Sequence, residues 1–131
     1  MLVYQGVKET LIEDVHLGII ADKIREKYIQ FIHIKPSPQE FNSWKNSMQY
    51  MRGVLDDREI PGNIGVAIEY NIPPTGSRID FMMTGYSKND SHEAVIVELK
   101  QWDECTEVDK VDGIYKVNTY TGGALRDVNH P

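Results

Sequence analysis

Hydrophobic positions recur at intervals of three and four in the first half of the chain and at intervals of two beyond residue 64. Ile12, Val15, Ile19, Ile20, Ile24, Tyr28 and Phe31 follow the helical spacing, with Lys23, Arg25, Glu26 and Lys27 between them. Thr10 followed by Glu13 reads as a capping box opening this stretch, and Gly18 divides it into two pieces. A second helix is marked by Ser37-Pro38-Gln39-Glu40, which combines a capping Ser, a Pro at the first helical position and a Glu three residues after the cap. Phe41, Trp44, Met48, Met51 and Leu55 then form one apolar stripe, read as core packing, and Asp56, Asp57 and Ile60-Pro61-Gly62-Asn63 end the helix.

From Ile64, apolar Ile64, Val66, Ile68, Tyr70 and Ile72 alternate with Gly65, Ala67, Glu69 and Asn71, which predicts a half-buried strand. Pro73-Pro74-Thr75-Gly76-Ser77 predicts a turn and Arg78 to Tyr86 a second strand, hairpin-paired to the first. After a polar loop from Ser87 to His92, Glu93 to Trp102 predicts a third strand. Its run Ala94-Val95-Ile96-Val97 suggests a central strand covered on both faces. Residues 103 to 112 read as an acidic solvated loop, Gly113 to Thr121 as an extended strand or hairpin arm, and the end of the chain as loop. The expectation is one α+β domain over residues 1–131: a helical part at 1–57, a three-strand meander at 64–102 and an arm at 103–131.

Composition narrows the functional classes. The formal charge is −6, an acidic balance that argues against nucleic-acid binding by bulk electrostatics. A single Cys105 allows no internal disulfide, and no Cys/His set has zinc spacing, which fits a reducing compartment. No signal peptide or membrane span is visible, so a cytoplasmic location is expected. The histidines show no metal-ligand spacing, and Cys105 has no basic neighbour to make it nucleophilic.

The chemistry-bearing residues are Asp80, Glu98 and Lys100. Residues two apart on a strand share a face, so Glu98 and Lys100 point the same way. If the second and third strands pair in the register that sets Asp80 opposite Glu98, two carboxylates and one ammonium lie side by side on apolar strands. Such groups are rarely buried without partners. A hard divalent cation, Mg²⁺ or Mn²⁺, would relieve the carboxylate repulsion, polarise a phosphoryl oxygen and activate water, with a lysine beside it. The competing reading is a structural ion pair, because a Glu-x-Lys triplet is common.

Asp80, 17 intervening residues, then Glu98-Leu99-Lys100 resembles the PD-(D/E)xK nuclease signature, with Ile79 in place of the proline. The order of helix, meander and lysine is similar to the first part of that restriction-endonuclease-like core. Gly18-Ile19-Ile20-Ala21-Asp22-Lys23-Ile24, Ser43-Trp44-Lys45-Asn46-Ser47, Glu59-Ile60-Pro61, Gly65-Val66-Ala67-Ile68-Glu69-Tyr70, Ile96-Val97-Glu98-Leu99-Lys100-Gln101-Trp102 and His130-Pro131 resemble the N-terminal region of bacterial proteins that fuse such a nuclease domain to a helicase of the Schlafen group-3 type.

The resemblance implies a nuclease acting on DNA ahead of RNA. Asp80, Glu98 and the Leu99 carbonyl would be metal ligands and Lys100 the catalytic lysine. It also implies a helical glutamate, for which Glu13 is the first candidate and Glu26 the second. Glu69 is a further acid whose face depends on the hairpin register. Gln101, Arg78, Lys88, Lys116 and Arg126 are candidate nucleic-acid contacts.

The superfamily core continues with a helix and a fourth strand, for which no periodic segment follows Trp102, and no phosphate-binding loop of a helicase is present. The expectation is therefore a core that is C-terminally incomplete, with a helicase in a longer parent chain or a second copy completing the sheet. The alternative is a catalytically silent nuclease-like module that binds nucleic acid or protein.

Overall fold

The computed structural model describes residues 2–100, 105–107, 114–118 and 125–129. The chain begins with a strand, β1 (Leu2–Val7), followed by three helices, α1 (Lys8–His16), α2 (Ile20–Ile32) and α3 (Pro38–Leu55). The meander β2 (Gly65–Ile72), β3 (Ser77–Tyr86) and β4 (His92–Val97) comes next. All neighbours pair antiparallel in the order β1-β2-β3-β4, so the class is α+β and the sheet has four strands rather than the expected three. β5 (Cys105–Glu107), β6 (Ile114–Asn118) and β7 (Leu125–Asn129) form a separate antiparallel sheet. Residues 1–99 and 100–131 are two compact units.

Helix α1 starts earlier than the Thr10–Glu13 capping box implied. Val7 occupies the cap position without a side-chain bond, and Thr10 and Glu13 lie inside the helix, exposed. The chain enters α1 directly from β1, and its first amides are satisfied by the loop after α3: Lys8 N donates to Ile64 O and Glu9 N to Gly62 O. The buried Lys8 ammonium donates to the carbonyls of Asp57 and Ile60 at 2.7 and 2.6 Å, tying the same loop down. The division at Gly18 is as expected. Gly18 has φ +72°, and the amides of Gly18 and Ile19 close on the carbonyls of Val15 and Asp14, the paired bonds of a Schellman motif.

Helix α3 follows the reading of its sequence. Ser37 Oγ accepts the Glu40 amide at 3.1 Å, Pro38 opens the first turn, and Trp44, Met48, Met51 and Leu55 are buried, with Phe41 packed at the margin. They share one core with Val3 and Tyr4 of β1, Leu11 and Val15 of α1, Ile20 and Ile24 of α2, Val66 and Ile68 of β2 and Phe81 of β3. A polar contact crosses this core. Asp14 is buried, accepts Tyr4 Oη at 2.9 Å and pairs with Lys23 Nζ at 2.7 Å, so burial and the Asp14 charge push the Tyr4 phenol far above its usual range.

Four strand expectations require correction. The third strand of the meander stops at Val97, so Glu98, Leu99 and Lys100 lie just beyond it instead of within a strand reaching Trp102. It is also an edge: among the described residues it pairs only with β3, and Val95 and Ile96 are 53% and 62% exposed. A β-branched run signals strand but carries no information about how many neighbours the strand has. In the second unit, Cys105–Glu107 is a strand where an acidic loop was expected, and Leu125–Asn129 is a strand where loop was expected; Ile114–Asn118 falls within the expected extended arm. No helix among the described residues is long and apolar enough to cross a membrane.

The burial contrast has a measurable consequence. Phe81→Ala should cost about 3–5 kcal/mol, as deletion of a fully buried aromatic ring does, whereas Ile96→Ser on the open edge should stay within about 0.5 kcal/mol. Urea unfolding of the two variants checks this; comparable losses in both would show that β4 is covered.

Candidate functional site

The hairpin between β3 and β4 sets the geometry. Its turn is closed by Ser87 N to Ser91 O at 2.9 Å and Asp90 N to Ser87 O at 3.0 Å, with Asp90 in the left-handed region at φ 56°. The ladder then runs from Tyr86 opposite His92 to Phe81 opposite Val97. Continued by one step, it sets Asp80 opposite Glu98, the register expected from the sequence. The ladder itself ends there, and the Asp80 carboxylate replaces the next backbone bond: Oδ2 accepts the Leu99 amide at 2.9 Å. Asp80 thus holds the chain segment that carries Glu98 and Leu99 against the end of β3.

On the other side of β3, Ile68 pairs with Phe81 and Tyr70 with Ile79, so Glu69 is the residue of β2 facing Asp80. Glu69 takes part in neither ladder and adopts φ 55°. A left-handed conformation at a non-glycine residue costs on the order of 1–3 kcal/mol and persists where its surroundings impose it. Glu69 is the last of four residues, Val66, Ala67, Ile68 and Glu69, that are buried in succession. The Glu69 side chain is 6% exposed. Trp44 Nε1 donates to Glu69 Oε1 at 2.9 Å, and Arg78 Nε lies 2.7 Å from Oε2 without the alignment of a hydrogen bond. Arg78 Nη1 reaches Glu40 Oε1 at 3.4 Å.

Glu40, Ser43, Trp44, Ser47, Glu69, Arg78, Asp80 and Leu99 meet around a cavity of about 180 Å³ between α3 and the ends of β2 and β3. Its electrostatics follow from the crowding. Burial pushes the Glu69 carboxyl above the usual range, the Trp44 bond and the Arg78 charge oppose this, and the Asp80 and Glu40 carboxylates push it further up. Tyr28, whose ring sits 5.2 Å from that of Trp44, is raised by burial and by the Glu40 charge. Arg78 is raised by Glu69 and Glu40 against the opposing effect of its own burial.

The structure brings together Asp80, Glu69, Arg78 and Leu99, all singled out in the sequence. Glu98 and Lys100 are exposed and adjoin this segment in the chain; both make interactions of their own. Glu13 and Glu26 are exposed, and neither lines the cavity; the helical acid there is Glu40, in the first turn of α3. Its position after Ser37 led to a reading as a capping residue, yet its carboxylate turns to Arg78. Trp44 was read only as core; its indole N–H is what anchors Glu69. Arg78 is engaged by two carboxylates, Lys88 is exposed in the β3–β4 turn, Lys116 and Arg126 lie in β6 and β7, and Gln101 falls outside the described residues. Among the described residues no three Asp, Glu, His or Cys side chains converge as they stand to hold a metal ion.

Glu69 gives a pH signature. Its folded-state pKa lies above the ordinary value of 4.5, so the folded state binds the proton more tightly than the unfolded chain does. The native state is therefore favoured below 4.5 and loses that advantage as pH rises through the folded-state pKa. In chelator-treated protein, the stability of wild type relative to Glu69→Gln should fall as pH rises through this window and then level off, read by urea midpoints across pH. A difference that grows with pH would mean that pairing with Arg78 outweighs burial.

Comparison of the chain with protein-family models, with curated proteins and with solved structures yields no match.

Proposed function

We propose that the chain carries a restriction-endonuclease-like, metal-dependent nuclease site that hydrolyses phosphodiester bonds in nucleic acid, DNA ahead of RNA. Asp80 and Glu98 are its metal-holding carboxylates, and Lys100 assists the attacking water. The observation that carries this reading is that Asp80 is flanked by acids: Glu69 of β2 lies at the position facing it, outside the ladder, and Glu98 follows β4 at the step that continues the register opposite it. Carboxylates gathered around one point repel, and a cation among them would relieve that cost.

The donor set fits Mg²⁺ or Mn²⁺. Asp80 commits one oxygen to the Leu99 amide and lines the cavity, and a carboxylate has acceptor capacity beyond one bond. Hard oxygen donors from one or two carboxylates, with water completing the set, are what Mg²⁺ takes. Asp80, Glu98 and the Leu99 carbonyl would hold the ion, which supplies Lewis-acid charge against a phosphoryl group.

The chain's own residues do the rest. The Leu99 amide holds the Asp80 carboxylate in the first half of β3, which preorganises it for a cation. Lys100, two residues beyond Glu98, supplies an ammonium that orients water or offsets charge growing on the phosphate. Trp44, through Glu69, fastens α3 to the strand beside Asp80. A cytoplasmic location and a helicase domain in a longer parent chain, or a second copy, go with this reading.

A second reading, a silent module that binds nucleic acid or protein, is favoured by one feature: Arg78 already offsets part of the carboxylate charge from within. Cleavage assays on plasmid DNA and on RNA with Mg²⁺ or Mn²⁺ decide between them. Wild type should cleave, and Asp80→Ala and Lys100→Ala should each lose about 10²-fold or more, the scale of a lost acid–base or electrostatic group. Equal residual cleavage by all three would sink the enzyme reading. Saturable partner binding without metal binding would establish the silent module.

A further inference from the structure

Arg78 occupies a position that a nucleic-acid contact would not need. It leaves the β2–β3 turn on β3, two residues before Asp80, and its guanidinium lies between Glu69 of β2 and Glu40 of α3. Neither attachment is the aligned, two-bond pair that a guanidinium makes with a carboxylate. The contact with Glu69 is close but misaligned, leaving Oε2 buried without a hydrogen bond, and the contact with Glu40 spans 3.4 Å. A guanidinium that belonged permanently to this carboxylate would be expected in the aligned, two-bond geometry that makes such pairs strong.

Its two partners differ in freedom. Glu69 is buried, held by Trp44 Nε1 and set on a left-handed backbone at φ 55°. Arg78 is 39% exposed, on a long side chain at the rim of the cavity. The carboxylate is fixed and its counter-ion has a way out. Around the cavity, three carboxylates (Glu40, Glu69 and Asp80) face one guanidinium, leaving an excess of two negative charges.

We infer that Arg78 is a resident counter-ion: it holds the charge of Glu69 and Glu40 in the cation-free protein and leaves them for solvent when a divalent cation binds beside Asp80. This rests on the cation-binding reading of Asp80 and adds to it a competition between a side chain and the ion. A unit positive charge a few ångströms from a divalent ion opposes its binding, and after screening the effect on affinity should be about tenfold or more. Linkage requires the reverse as well: whatever Arg78 costs the cation, the cation costs the contacts of Arg78. Once released, the guanidinium stands at the cavity rim with all five donors available to a phosphate, the ligand its planar fork fits best.

The test uses the intact chain. Calorimetric titration with Mg²⁺ and with Mn²⁺ compares wild type, Arg78→Gln and Asp80→Asn. Arg78→Gln should bind the cation about tenfold more tightly than wild type, and Asp80→Asn should lose binding. Because Arg78→Gln strips a buried carboxylate of its partner and could unfold the protein, a second measurement is made on wild type: the Nε–Hε resonance of Arg78, identified by its loss in Arg78→Lys. It should move saturably as Mg²⁺ is added and stay still in Asp80→Asn. Equal affinity in wild type and Arg78→Gln, or a still Arg78 resonance in wild type while heat of binding is measured, overturns the counter-ion role and leaves the cation site standing. Absence of binding in every protein overturns both.

Discussion

The interaction on which the site depends is the burial of Glu69 at an interruption of β2. In an ordinary strand this residue would continue the ladder and turn its side chain away from Ile68. At φ 55° it leaves both ladders, and its carboxylate enters the space beneath α3, where Trp44 donates to one oxygen and Arg78 approaches the other. The arrangement carries two costs, backbone strain and desolvation of a charge, and each ordinarily amounts to more than one surface contact returns. What they sustain is a link between a helix and two strands at the point where Asp80 must face the Glu98 segment. If Trp44 released Glu69, α3 would lose its polar attachment to the strand end and Arg78 its main partner.

That organisation would reconcile the acidic composition with the nucleic-acid substrate proposed above. The charge of −6 is a property of the whole chain, whereas binding at a site depends on the charges within a Debye length of it. At this cavity the carboxylates outnumber the guanidinium, so the local preference is for a cation. A polyanion would be attracted only after a cation, or a basic surface elsewhere, has reversed the sign. Affinity for nucleic acid should thus follow occupancy by the ion rather than the formal charge.

Legibility of the fold in the sequence tracked how local its signals were. Helix α3 could be read almost to the residue because its cap, its first-turn proline and its apolar stripe all lie within one continuous segment. The register of β3 on β4, from Phe81 opposite Val97 to Tyr86 opposite His92, was equally accessible, since a short turn leaves few ways to pair two strands. Strand β1 was not legible: Leu2–Val7 pairs with β2, distant in sequence, with no turn between them to announce the pairing. The edge position of β4 was missed for a related reason, because the apolar run Ala94-Val95-Ile96-Val97 is the same whether one strand or two lie beside it.

Within the site, the residues that a nuclease signature names could be listed from the sequence, but the residues that hold them could not. Nothing in Ile68-Glu69-Tyr70 marks a left-handed glutamate, and the groups that meet its carboxylate, Trp44 and Arg78, come from two other elements. Glu40 was hidden by a local role that explained it sufficiently, as the third residue after a capping serine. Both errors share a cause. A motif records side chains that act on a substrate, and those recur at fixed spacing along one strand or hairpin. The groups that position them are recruited wherever the fold happens to bring a donor, so they carry no spacing of their own. The cavity at Asp80 therefore has two layers of different origin: Asp80 with the Leu99 segment that it holds, set by one hairpin, and Glu40, Trp44, Glu69 and Arg78, brought together where α3 meets the sheet. Only the second layer can adjust charge without altering the first, and that is why a replaceable counter-ion would be found there.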